Sequence, residues 1–414
     1  MDSSSNLTRT IAKHSYQASR QLAMASGTSR RKGITALAKN MEASFDTILE
    51  ANTLDLEMSR EMAVSELMLD WLKLTPERLE MTVVILNQLA KSGDLTRRLI
   101  NAPYQLEPGQ SYSQLMPLGT IALIYEALPE LALIAAGMCL KTGNSLILRG
   151  CTTASNSNLA LSRIIQESLA ESELPPQCVE MIFPETESSV DELVVQDKYI
   201  NLIIPYGRPS LVRKVTEKAT APVLRTAIGN CYLYWSASGD LDLTRNAIID
   251  SHYGEPDAVN AIEKVLIHSS KKSSSLISLF TSLQEKGFQL RGDSELCQEF
   301  SEYLQPIAAS EWGKSYIDRI VAFRTTDSLT NAIAWINRYS SGHADCLITE
   351  SYQESRHFTQ NVNSALIYVN TSPRFSRNPN CGEAVFLGMS NQKGYRQGLI
   401  GLETFTTLKQ VVQG

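Results

Sequence analysis

Hydrophobic and polar positions change their spacing twice along the chain. From about residue 6 to residue 100 apolar residues recur three and four apart, the period of helices with one buried face. Within this stretch Thr75 suits an N-cap, Pro76 the first helical position, and Leu79, Val83, Leu86 and Ala90 one face, with Gly93 as the stop. After a polar stretch at 104–114 the pattern becomes short apolar runs alternating with helical segments. The runs fall at 120–125, 145–149, 179–183, 200–205 and near 222–224; the helices fall at 129–141, 156–171, around Val190, and at 209–218. Such alternation predicts an α/β unit in which a parallel sheet is covered on both faces, the doubly wound, Rossmann-type arrangement. A second α/β unit starts near Leu241. It has runs at 265–268, 320–323 and 365–369 and helices at 274–287 and 328–339, and a threonine-rich, strand-like tail at 402–412 closes the chain.

Composition narrows the function classes. The chain has 414 residues, of which 43% are apolar and 20% charged, enough for two or three units that each bury a core. Lysine and arginine number 38 against 44 acidic residues, a net charge of −6, which argues against nucleic-acid binding and against an anionic membrane surface. No apolar leader stands at the start and no run of 18 uncharged apolar residues occurs, so a cytoplasmic protein without membrane insertion is expected. Seven cysteines (139, 151, 178, 231, 297, 346, 381) include no CxxC pair, and five histidines (14, 252, 268, 343, 357) show no ligand spacing. Inert buried thiols and no metal are expected, with His252 on an exposed loop. No GxGxxG fingerprint follows the first predicted strand, so a dinucleotide binds here by another mode or not at all.

Seven strings carry a resemblance. They are PLGTIALIYEALPE (117–130), CLKTGNSLILRG (139–150), IGNCYLYW (228–235), VNAIEKVLIH (259–268), INRYSSGHADCLITE (336–350), IYVNTSPRF (367–375) and SNQKGYRQGLIGLETFTTLK (390–409). Together and in this order they resemble the γ-glutamyl phosphate reductases, also called glutamate-5-semialdehyde dehydrogenases, of the aldehyde dehydrogenase superfamily. The resemblance implies an aldehyde-dehydrogenase-like fold: a Rossmann-type NADPH-binding domain at 1–235 with 370–401, a catalytic-type domain at 236–369, and an oligomerisation element at 104–116 and 402–414 that pairs subunits. It also implies the NADPH-dependent reduction of L-glutamate 5-phosphate to L-glutamate 5-semialdehyde in proline biosynthesis, and a homo-oligomer.

That chemistry needs a thiolate, which displaces phosphate from the acyl phosphate and leaves a thioester that accepts hydride. The family carries the cysteine in a Pro-x-x-Cys-Asn-Ala string, which here reads Pro256 to Ala261 with Val259 in the nucleophile's place. A branched alkyl group neither ionises nor forms a thioester. Arg225 replaces a family glutamate, Glu255 stands where an arginine is expected, and Phe386 replaces the glutamate that lines the nicotinamide ribose. The family's Pro-Arg-Gly-Gly string reads Pro205-Tyr206-Gly207-Arg208. Asn260 is retained and is the candidate substrate contact. Arg149, Thr152 and Gly229 are candidate cofactor contacts beside the degenerate Phe386, while Cys151 replaces a family glycine.

The strings that pack and turn the chain keep the family pattern while those that react have changed together. The residues therefore read as a non-catalytic paralogue with NADPH binding weakened or lost and a binding, regulatory or scaffold role toward a nucleotide, an active homologue or another protein partner. The alternative is an active dehydrogenase that uses another thiol.

Overall fold

The computed structural model describes residues 2–101, 110–183, 188–379, 384–392 and 398–414. The chain divides into two compact units, one of residues 1–226, 377–387 and 400–414, the other of residues 227–376 and 388–399.

The first unit begins with five helices: Asp2–Met24, Gly27–Ala43, Phe45–Glu61, Glu66–Leu72 and Pro76–Lys91. The last forms as its ends dictate. The Thr75 hydroxyl accepts from the Arg78 amide at 3.3 Å, Pro76 opens the first turn, and the helix stops two residues before Gly93. Its Leu86 and Leu89 pack on Gly137, where a Cβ would lie 2.7 Å from the Leu86 side chain. Gly137 belongs to Leu131–Thr142, a helix with every residue buried, beside a four-stranded parallel sheet. In spatial order the strands are Val179–Met181, Ser145–Arg149, Thr120–Tyr125 and Leu202–Tyr206. The middle strands are buried on both faces, which is why their sequences, TIALIY and SLILR, are near-continuous apolar runs. The run at 222–224 is no strand; Val223 makes one isolated bridge to Ile203.

A separate antiparallel sheet joins Leu99–Asn101, Gln110–Pro117 and Thr406–Gln413. The tail therefore pairs with 110–117, while Leu402–Phe405, expected as strand, is a 3-10 turn closed by the Thr404 amide on the Gly401 carbonyl. Residues 104–109 of the expected pairing element lie outside the described residues, as does Cys381.

The second unit holds a seven-stranded parallel sheet in the order Gln305–Pro306, Gln289–Gly292, Ile320–Thr326, Ile262–His268, Cys231–Trp235, Ala344–Ile348, Leu366–Val369. Leu241–Ser251, Ser273–Glu285 and Ser294–Glu299 cover one face, packing Ile248, Leu279 and Leu296 on Leu233, Val265 and Phe323. Leu329–Tyr339 and Tyr352–Asn361 cover the other over Tyr232, Tyr234, Leu266 and Leu347.

The expected boundary near residue 235 is corrected by this sheet. Cys231–Trp235 pairs with Ile262–His268 on one side and Ala344–Ile348 on the other, so it lies inside the second unit. Residues 370–376 and 388–399 also belong there. A buried apolar run has the same sequence character whichever sheet accepts it, so only tertiary pairing decides. Among the described residues no helix is long and apolar enough to cross a membrane.

Candidate functional site

The loop that carries Val259 leads into the strand Ile262–His268. It is built from two tight turns, with the Ala258 amide on the Glu255 carbonyl at 3.1 Å and the Ala261 amide on the Ala258 carbonyl at 2.9 Å. Ala258 sits at φ 38°, a conformation non-glycine residues rarely take. The Val259 side chain is fully buried, and its carbonyl accepts from the Gly229 amide at 2.9 Å and from His343 Nε2 at 2.9 Å. Asn260 donates its side-chain amide to the Pro373 carbonyl at 2.8 Å, so this candidate substrate contact anchors the loop. Glu255 is half-buried on the same loop.

One thiol does stand beside this loop. Cys231 Sγ is 3.3 Å from His343 Nε2, and the other ring nitrogen, Nδ1, meets the Ser341 hydroxyl at 2.8 Å. Because the Val259 carbonyl can only accept, Nε2 carries the ring proton and Nδ1 accepts from Ser341. Burial raises the Cys231 thiol well above its ordinary value and lowers His343 to about 4. Both groups are therefore neutral near pH 7, and the pair is a hydrogen-bonded brace instead of a thiolate–imidazolium couple. Cys139, Cys178 and Cys346 are buried with thiols raised by desolvation, that of Cys178 to about 12. His252, expected to be exposed, is half-buried at the end of Leu241–Ser251. Its Nε2 meets the Ile262 carbonyl at 3.1 Å, its ring stands edge-on to Phe288, and burial lowers its pKa to about 4.

Behind the loop lies a buried charge pair that pattern reading missed. Glu263 accepts from the backbone amides of Asn230, Tyr316 and Ile317, each at 2.8 Å. Lys264 Nζ is 3.7 Å from the Glu263 carboxylate, 3.2 Å from the Lys314 carbonyl and 3.5 Å from the Tyr316 ring centre, and both side chains are fully buried. Burial pushes Glu263 up and Lys264 down, the latter to about 8. The signal was the pair Glu-Lys inside an otherwise apolar strand. Gly229 is explained by the same cluster: at φ 67°, a Cβ on it would come within 2.6 Å of the Glu263 carboxylate. The structure thus gives Gly229 a packing reason in the second unit.

The remaining candidates belong to the first unit. Its strand order reverses between Thr120–Tyr125 and Leu202–Tyr206, and ligands of open parallel sheets bind at the carboxyl ends of strands at such a point. There Glu126 accepts from the Arg208 amide at 2.9 Å and from the guanidinium at 3.2 and 3.1 Å. Gly207, at φ 151°, passes so close that a Cβ would lie 2.7 Å from Glu126. Arg149 is buried and donates to the Gly150 carbonyl, whereas Thr152 is exposed in the turn Thr152–Ala154. Cys151 Sγ accepts from the Ala127 amide at 3.3 Å and lies 2.9 Å from the Thr153 hydroxyl. Phe386 is half-buried with its ring against Gly401, and its amide donates to the Arg377 carbonyl at 2.9 Å. Arg225 is exposed.

A charge test for a phosphate-bearing dinucleotide gives a partial fit. The switch point offers the exposed Thr152 hydroxyl and the Arg208 guanidinium, Glu126 there is paired with Arg208, and Arg149 is turned into the interior.

Comparison with known proteins agrees over nearly the whole chain. The sequence model of the aldehyde dehydrogenase family matches residues 2–284. The chain is 55% identical to γ-glutamyl phosphate reductase 2 of Synechocystis sp., across 94% of this chain and 92% of that one. It is 36% identical to the γ-glutamyl phosphate reductase of Gloeobacter violaceus, across 98% and 96%. The crystal structure of γ-glutamyl phosphate reductase from Thermotoga maritima superposes with a TM-score of 0.88 at 31% identity, across 98% of each chain. With a shared fold and identity sustained over both units, the chain belongs to the γ-glutamyl phosphate reductases of the aldehyde dehydrogenase family.

Proposed function

We propose that this chain keeps the scaffold of a γ-glutamyl phosphate reductase without its covalent chemistry, and serves as a non-catalytic paralogue with a binding, regulatory or scaffold role. The names of its relatives support reduction of L-glutamate 5-phosphate, a step of proline biosynthesis, as the reaction for which the scaffold is suited. The observation that carries the reading is Val259, a fully buried alkyl side chain on a loop braced by His343, whose neighbouring thiol, Cys231, is held protonated beside the neutral imidazole. Acyl transfer from phosphate needs a thiolate at the reacting carbon, and this loop supplies none.

NADPH, where bound, would supply hydride. In this chain Thr152 and Arg208 are the groups at the switch point suited to its phosphates. With Arg149 committed to a backbone carbonyl and Phe386 to packing, we read NADPH affinity as weakened or lost. A homo-oligomer is supported by the antiparallel sheet of Gln110–Pro117 and Thr406–Gln413, on which Met116, Leu408 and Val412 are exposed.

The test is phosphate-dependent oxidation of glutamate-5-semialdehyde with NADP by the purified protein, by a Val259→Cys variant and by a cysteine-bearing relative as control. The expected result is turnover by the control and none by the unmodified chain. Turnover by the unmodified chain that disappears in Cys231→Ala would sink the reading in favour of a substitute thiol. Turnover restored in Val259→Cys would show that one residue separates the two states.

A further inference from the structure

We infer that the second unit carries an oxyanion-binding pocket at the carboxyl end of its sheet, built for a small metabolite bearing a phosphate or carboxylate and separate from the Val259 loop. The pocket is a cavity of about 390 Å³ bounded by the end of the strand Ile320–Thr326 and the first face of the helix Leu329–Tyr339. That volume lies in the range of small-ligand sites. The Val259 loop enters the sheet at the amino end of the neighbouring parallel strand, Ile262–His268, so the two places are about 20 Å apart along seven residues of strand.

The chemistry of the pocket comes from two guanidinium groups. Arg324 is half-buried on the sheet face that the helix covers, in register with Leu266, a position that suits an apolar side chain. Its guanidinium stacks 4.0 Å from the Trp335 ring centre and forms an ion pair with Asp293 at 3.7 Å, a contact too long for a hydrogen bond. Arg338 lies on the same helix face, seven residues after Asn331 and three after Trp335, and stacks 5.0 Å from Tyr339 without pairing to a carboxylate among the described residues. Thr325 and Thr326 add half-buried hydroxyls, and Asp327, the one acid of the lining among the described residues, is exposed.

Two like charges lining one concave site repel each other, and Arg338, unlike Arg324 with Asp293, has no carboxylate to balance it among the described residues. An oxyanion between them removes both costs, because guanidinium forks match the oxygen geometry of phosphate and carboxylate. Amide and hydroxyl groups of Asn331, Thr325 and Thr326 complete a donor set of the kind that orients such a group. The stacking of Arg324 on Trp335 fixes its plane in advance, so little side-chain entropy is lost on binding. The inference stands whether or not the Val259 loop is catalytic.

Isothermal titration of the full chain at fixed ionic strength tests it, with inorganic pyrophosphate as the phosphate probe and citrate as the carboxylate probe. Saturable binding of either is expected, and the tighter one names the source of the oxyanion. Arg338→Ala, an exposed change, should weaken that binding at least about tenfold with the circular dichroism spectrum unchanged, and Arg338→Lys, which keeps the charge but loses the fork, should fall between. Arg31→Ala, an exposed change on the first unit's helix Gly27–Ala43, should leave it unchanged, and Arg208→Ala reports whether the probe sits at the switch point instead. Equal affinity in Arg338→Ala and the unmodified chain, loss of binding in Arg208→Ala instead, or no saturation below about 10 mM would overturn the inference.

Discussion

The loop around Val259 and the switch point of the first unit hold their polar groups in opposite ways. In the second unit the charges and rings are internal: Glu263, Lys264, His343 and Asp345 are fully buried, and each meets a backbone or side-chain partner. In the first unit the Glu126–Arg208 pair sits at the surface, with the arginine half-exposed. The difference teaches how a fold can outlast its chemistry. Both hydrogen bonds to Val259 reach its carbonyl, which any residue supplies, so the brace of Gly229 and His343 is indifferent to the side chain at 259. A thiol and an isopropyl group are alike in being small and apolar when buried, so the substitution leaves the scaffold whole.

This contrast predicts unequal sensitivity to mutation. Glu263→Ala should have the largest effect, roughly 3–5 kcal/mol, because it strands three buried amides and the Lys264 charge together. Urea unfolding followed by circular dichroism would read it, and a loss under about 1 kcal/mol would mean the pair contributes little to the second unit.

Acid should find the same unit next. Burial holds His343 at about 4 against an ordinary 6.5, so between those pH values the unfolded chain takes up a proton that the folded chain refuses. This contribution is complete above pH 6.5 and is lost as pH falls toward 4, up to about 3 kcal/mol for the single ring. Asp345, raised to about 7 by burial, pulls the other way, destabilising the fold as pH rises from the ordinary 3.8. The measurement is therefore a difference: the unmodified chain should lose more stability than His343→Gln when taken from pH 7 to pH 4.5. Parallel losses would show that the ring is solvated at low pH without unfolding.

Smaller effects sharpen the comparison further. Gly229→Ala forces a Cβ onto the Glu263 carboxylate at positive φ and should cost roughly 1–3 kcal/mol, detectable as a lowered melting temperature. Arg208→Ala should cost less than about 1 kcal/mol, since an exposed pair is screened by water. If Arg208→Ala proved the costlier of the two, the assignment of internal and surface roles would be reversed.

Local chemistry made much of the fold legible. The strands at 120–125 and 145–149 and the helix at 209–218 appear at the bounds their sequences predict, and Thr75 caps the helix that Pro76 opens. Each is governed by contacts within a few residues. At the site, the loss of the nucleophile was legible because valine has no ionisable group in any fold. The brace from Ser341 through His343 to Val259 was not, since its members lie 84 residues apart in sequence. Neither was the burial of His252, which the Phe288 ring and the Ile262 carbonyl decide.

The sequence by itself determined the alternation of strand and helix, the family and the absence of a thiol at position 259. Those follow from side-chain identity and short-range spacing. The tertiary structure decided that Cys231–Trp235 joins the second sheet, that Cys231 stays protonated beside a neutral histidine, and that Arg149 turns inward while Arg208 faces the switch point. Strand pairing and proton affinity depend on which distant groups are brought near and how much water is removed. No single stretch of chain contains that information.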